Sequence, residues 1–190
     1  IVEVAGAIAE TFVTERPLPA VAGKNPALAG RRTRPQKGKS DVDDTVLFLA
    51  RFAGGPVASF EASRLATGNQ NNNGIEINGS DGAVRFSFED MNVLWYHDAR
   101  VDPGVAGWTR IMCTSAGQHP YAGAWWPDAH IIGYEHTFVN MVADMKVELA
   151  GQEPIVPLPD FADAYETQRV LEAALLAAKN RCAVKLAEIK

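Results

Sequence analysis

Val42–Arg64 reads VDDTVLFLARFAGGPVASFEASR, and Gly74–Phe88 reads GIEINGSDGAVRFSF. Apolar residues run almost without a break through Val46-Leu47-Phe48-Leu49, as in a strand covered on both faces. Phe60 and Ala62 alternate with Ser59, Glu61 and Ser63, as on a strand with one wet face. Gly54-Gly55 and Asn78-Gly79-Ser80-Asp81-Gly82 are turn signals between such runs. The two stretches predict a ladder of strands joined by short turns, and therefore a largely antiparallel sheet. Neither stretch carries a catalytic motif, so the ladder reads as a scaffold.

Outward from the ladder, residues 1–13 read as a further strand with partial alternation, followed by strands near 91–97 and Trp108–Cys113. The period then changes. Tyr134, Phe138, Met141, Val142, Met145 and Leu149 form one stripe of a helix that Gly151 ends. Asp160 is placed to cap a second helix running to about Lys179, with Phe161, Ala164, Tyr165, Leu171, Ala174, Leu175 and Ala178 on its apolar side. Asn180 suits the left-handed position that follows, and Ala183–Leu186 closes the chain as a short strand. Strands first and helices later predict an α+β fold: a large open, mostly antiparallel sheet with helices packed on one face. At 190 residues the expectation is a single domain over 1–190. The opening Ile1-Val2-Glu3-Val4 looks like a strand already in progress, and reads as the start of a piece cut from something longer.

Composition narrows the function classes. A net charge of −5 disfavours nucleic acid. No apolar run has the length to span a bilayer, so no membrane partner is expected. Cys113 and Cys182 read as unpaired buried thiols of a cytoplasmic protein, and no Cys/His cluster has zinc spacing. Residues 16–41 form a long loop rich in proline and glycine, bearing Arg16, Lys24, Arg31, Arg32, Arg34, Lys37 and Lys39 before any acid. It is either a solvated or subunit-facing arm or an anion site. Asp41, Asp43 and Asp44 at a strand entry read as turn and edge chemistry rather than a metal site. Asn69–Gly74 reads as a flexible tip, with a row of amides for sugar hydroxyls as the other reading.

The chain has no G-x-G-x-x-G after a strand, no P-loop and no G-x-S-x-G elbow. Its most distinctive polar stretch is Gln118–His130, QHPYAGAWWPDAH. Paired tryptophans beside Gln, Asp and His have the composition of a carbohydrate pocket, where aromatic faces take the apolar side of a ring and polar tips take hydroxyls. The same residues also suit a core-capping loop with Trp125 and Trp126 buried.

In order along the chain, Val42–Phe52, Ile75–Phe86, Gly133–Phe138 and Arg169–Ala174 together resemble the C-terminal domain of the glucose–fructose oxidoreductase/inositol dehydrogenase (Gfo/Idh/MocA) family. The resemblance implies an α+β domain that closes over a sugar or polyol substrate and builds a homodimer or homotetramer through its sheet. It implies NAD or NADP on a separate N-terminal Rossmann domain, with none bound by this chain alone. The family's Lys-Pro lysine and D-x-x-x-H pair have no counterpart: residues four before His97, His119, His130 and His136 are Val93, Ser115, Trp126 and Ile132. No catalytic residue is therefore assigned. The resemblance points to the loop before the first helix for substrate contact, with Trp126, His130 and Tyr134 as candidates and Arg64 beside them. A stand-alone, non-catalytic sugar-binding or assembly module is the alternative.

Overall fold

A computed structural model describes residues 1–18 and 36–189. Most of the basic loop, including Lys24, Arg31, Arg32 and Arg34, lies outside the described residues. In chain order the strands are β1 (Glu3–Glu10), β2 (Glu15–Pro17), β3 (Lys37–Lys39), β4 (Thr45–Arg51), β5 (Val57–Ser63), β6 (Gly74–Asn78), β7 (Gly82–Ser87), β8 (Val93–Asp98), β9 (Thr109–Met112) and β10 (Val184–Lys185). The helices are α1 (Ala122–Trp125), α2 (Tyr134–Leu149) and α3 (Phe161–Asn180). The α+β, antiparallel class read from the sequence is the one adopted. Its strands form two four-stranded sheets and a two-stranded ribbon rather than one continuous sheet. The chain divides into two compact units, one of residues 1–67 and 160–190, the other of residues 68–159. No helix among the described residues is long and apolar enough to cross a membrane.

The first unit holds the sheet β10-β1-β4-β5, with α3 packed on β1. Gly54 and Gly55, at φ 84° and 106°, make the β4–β5 turn in a region where a side chain would be strained. Phe48 stacks on its cross-strand partner Phe60, with ring centroids 4.6 Å apart. A bulge between Val4 and Gly6 explains the partial alternation of β1. One extra residue restores phase, so that Val4 and Ala7 both join the core although an odd number of positions separates them. That core is Val4, Ala173, Ala174, Ala177, Val184 and Leu186.

Helix α3 begins as read: the Asp160 Oδ1 accepts from the Asp163 N–H at 2.8 Å. Of the expected apolar side only Ala174 is fully buried. Ala173, Ala174 and Ala177 face the sheet, whereas Phe161 is 95% exposed and Leu171 and Leu175 are half exposed. Small side chains let the helix lie close to β1, and an alanine face leaves little hydrophobic signal in the sequence. The left-handed residue is Arg181, at φ 55°, and not Asn180. Arg169, in mid-helix, donates to the Leu186 carbonyl and so ties the chain after β10 back to α3. Cys182 is exposed and Cys113 half-buried, which corrects the reading of both as buried.

At the strand entry, Asp44 is buried and acts as the turn residue the sequence implied. Its Oδ2 accepts from the Phe12 and Val13 N–H groups at 2.9 and 2.8 Å, and its Oδ1 pairs with Arg16. Arg16 is thus spent on the scaffold. Asp44 is held below the ordinary carboxylate range, first by the Val13 N–H against the opposing effect of burial, then by Arg16, the Phe12 N–H and Arg64.

The second unit is the meander β6-β7-β8-β9 followed by α1 and α2. Gly82 is required by close approach: a Cβ there would lie 2.3 Å from the His97 carbonyl oxygen. Arg85 binds Glu76 across the strands at 2.7 Å and lies over the Trp108 ring. In the Asn69–Asn73 tip, Asn71 is left-handed and the amides bond one another, Asn72 to Asn69 at 2.9 Å and Asn73 to Asn71 at 3.1 Å. Helix α2 reverses the sequence expectation. Phe138, Met141, Val142, Met145 and Leu149 are all exposed, and the one fully buried residue is Asp144. The inward positions His136, Asn140, Asp144 and Val147 recur at helical spacing. This face is mostly polar because its groups find hydrogen-bond partners within the unit.

Candidate functional site

The segment from Ser115 to Tyr134 carries three of the four residues proposed from the sequence. It leaves β9 and turns through His119, whose N–H donates to the Ser115 carbonyl at 2.9 Å. The His119 Nδ1 accepts from the Tyr121 N–H at 3.2 Å. Four residues of helix follow, and at Trp126 the backbone becomes extended. The Asp128 Oδ1 accepts from the Ala116 N–H at 2.9 Å, closing the loop at its base. Ala129 is left-handed, at φ 70°, an uncommon state for a residue with a Cβ. Asn92 then grips Ile132 in both directions, donating to its carbonyl at 2.9 Å and accepting from its N–H at 2.8 Å. The Gly133 N–H donates to the His136 Nδ1 at 3.0 Å, which starts α2.

On this frame Trp126 is 48% exposed and Tyr134 is 55% exposed. The core-capping reading thus fits Trp125 better than Trp126. Trp125 is partly buried, donates its indole N–H to the Asn140 Oδ1 at 2.8 Å, and meets the His136 ring edge-on at 4.3 Å. The Tyr134 ring is fixed between edge contacts to Phe88 at 5.7 Å and Phe138 at 5.0 Å. His130 is exposed, with Nδ1 3.0 Å from the Pro127 carbonyl oxygen and 3.2 Å from that of Asp128. Two acceptors there place the proton on Nδ1, so in the neutral ring Nε2 is left as the acceptor. Trp126, His130 and Tyr134 therefore share one clamped segment of the second unit. Arg64 belongs to the first unit, just past β5, where its N–H donates to the Asp44 carbonyl at 3.0 Å and its charge acts on the Asp44 carboxylate.

Behind the segment lies a cleft of about 430 Å³, with Asn92, His119, Tyr121, Thr137, Asn140 and Asp144 as its polar lining. The Tyr121 phenol donates to the Asp144 Oδ2, and the Asp144 Oδ1 accepts from the Ile155 N–H at 3.1 Å. Burial first, and then the bond to Asp144, push the Tyr121 phenol up to about 12. His119 and Tyr121 belong to the Gln118–His130 stretch singled out above, whereas Asn92, Thr137, Asn140 and Asp144 were not picked out from the sequence. The available signal was a carboxylate and an amide four apart in α2, opposite a tyrosine and a tryptophan four apart in the loop. Among the described residues, no group of three His, Cys, Asp or Glu side chains is placed to hold a metal.

A profile of the GFO/IDH/MocA C-terminal domain matches residues 7–85. Over that span the chain is similar to the C-terminal domain of Gfo/Idh/MocA oxidoreductases. An oxidoreductase domain protein from Kribbella flavida, of known structure, is 42% identical with a TM-score of 0.83, over 98% of this chain and 46% of that one. Levoglucosan dehydrogenase of Pseudarthrobacter phenanthrenivorans is 31% identical over 184 residues, covering 96% of this chain and 46% of its own length. A structure of levoglucosan dehydrogenase in complex with NADH and L-sorbose is 30% identical with a TM-score of 0.80, over 97% of this chain and 44% of that one. The chain thus spans under half the length of these relatives. Every strand pairing among the described residues is antiparallel. No parallel β-α-β unit, the cradle of a dinucleotide in a doubly wound fold, forms among those residues.

Proposed function

We propose that this chain is the substrate-side domain of an NAD(P)-dependent oxidoreductase acting on a sugar, polyol or related alcohol. The observation that carries the reading is the clamped segment with half-exposed Trp126 and Tyr134 rings and an exposed His130 whose Nε2 is the free acceptor. The similarity to levoglucosan dehydrogenase supports the substrate class. Trp126 packs against the apolar face of the ring, and His130 accepts from a hydroxyl. Hydride transfer requires a held nicotinamide and an acid/base group at the reacting carbon, and this reading leaves both to residues outside the chain.

The proposal includes self-association as a homodimer or homotetramer. Ile8, Leu47, Leu49 and Val57 leave apolar surface exposed on the sheet of the first unit, which is costly in water. The two free thiols fit a reducing cytoplasm. The alternative remains a non-catalytic sugar-binding or assembly module, which the same loop and sheet would serve.

The test is an assay of the intact protein with NAD and NADP against levoglucosan, L-sorbose and a wider panel of sugars and polyols. Nicotinamide reduction with one of them is expected, and His130→Ala should raise KM by roughly tenfold, the value of one lost hydrogen bond to substrate. No turnover with any of them refutes the enzyme reading. Unchanged kinetics in His130→Ala removes His130 from the site.

A further inference from the structure

Tyr121 and Trp125 lie four apart in the loop, and Asn140 and Asp144 lie four apart on α2. They pair in antiparallel order: Tyr121 donates to Asp144, and Trp125 donates to Asn140 at 2.8 Å. Each sum of paired numbers is the same, so the loop is laid along α2 one helical turn per rung. A third turn toward the helix start brings His136 beneath both indoles, at 4.3 Å from Trp125 and 6.3 Å from Trp126. Asp144 is 2% exposed, and desolvating a carboxylate is unfavourable unless hydrogen bonds compensate. It also accepts from Ile155, which ties the segment after α2 to the same point. Trp126 and His130 follow directly on the second rung.

We infer that Tyr121, Asp144 and Asn140 are positioning residues: this two-rung clasp sets where Trp126 and His130 stand and so determines substrate affinity. The inference rests on the substrate-side reading of the loop. The clasp acts through Trp125, since an indole fixed at its N–H and against an imidazole edge leaves its neighbour one backbone direction. Displacing a binding group far enough to lose one hydrogen bond to the substrate costs about tenfold in affinity.

The experiment uses the intact protein labelled with 5-fluorotryptophan, with the four fluorine lines of Trp95, Trp108, Trp125 and Trp126 assigned by single Trp→Phe changes. Asn140→Leu removes the acceptor of the second rung, Asn140→Asp keeps it, and Tyr121→Phe opens the first rung. The Trp126 line is expected to move and broaden in Asn140→Leu and Tyr121→Phe and to return in Asn140→Asp, while the Trp95 and Trp108 lines, on the meander, stay fixed. A still Trp126 line in Asn140→Leu overturns the inference, and so does movement of all four lines, which would be general loosening. With a turned-over sugar, Asn140→Leu should raise KM roughly tenfold with kcat within about twofold. A displaced Trp126 with unchanged KM overturns the affinity role. A wild-type protein inert toward every sugar refutes the function proposed above, and the fluorine lines still decide whether the clasp holds Trp126.

Discussion

Asp44 gathers two backbone N–H groups and an arginine around one carboxylate in the first unit. Its folded pKa lies below its ordinary value. A depressed carboxylate contributes stability that is present above the unfolded pKa and is lost as pH falls through the folded one. Asp44→Asn should therefore lower the urea midpoint at pH 7. The gap to wild type should narrow as pH falls below about 4, where the unfolded carboxylate takes up its proton. A gap of equal size at pH 7 and pH 3 would contradict the assignment. The residue was legible in the sequence only as turn chemistry: its partners are the Phe12 and Val13 N–H groups and the Arg16 side chain, and no local pattern announces a contact made across some thirty positions. Asp144 was hidden for a different reason. Its neighbours in α2 are apolar, so a periodicity reading assigns the inward face to them.

The two long helices share that reversal, and each has its own cause. In α3 the inward residues are alanines, fitted by size rather than by hydrophobicity. Replacing Ala177 with Leu should destabilise the first unit by about 1–3 kcal/mol through overpacking, whereas Leu175→Ala should cost less than about 1 kcal/mol because that side chain is 43% exposed. Urea melts with unchanged slope would measure both, and equal losses would mean that the helix does not rest on its alanine face. The hairpins were legible because their turns demand particular residues: Gly54-Gly55 supplies positive φ, and Gly82 supplies the room that a carbonyl needs. The Asp160 cap was legible for the same reason. The left-handed Arg181 was not, because only the position of the last helical hydrogen bond, and not the residue type, selects it.

At the scale of the whole molecule, the apolar residues left exposed on the first unit's sheet are the property most open to a direct test. Leu49 is 58% exposed beside Ile8 and Leu47. Leu49→Glu should leave the fold intact and shift the light-scattering mass of the intact protein toward that of one chain. An unchanged oligomer would place the subunit contact elsewhere. Fold class was legible at this scale because strand and helix periods segregate along the chain, whereas the candidate loop was proposed from paired tryptophans beside histidine, a composition that also suits a core-capping loop. The partition of strands into two separate sheets was not, since alternation identifies a strand without naming its neighbour.

The bulge in β1 carries a consequence for how the domain tolerates change in length. Ala5 is the one residue that lets Val4 and Ala7 look the same way. A single-codon deletion at that point would leave a strand of acceptable composition, still able to pair with β4. Everything upstream of it would be turned half a period, and Val4, the most enclosed side chain of the first unit, would point at water. Substitutions along this strand are graded in their effect; a frame change of one residue is all or nothing.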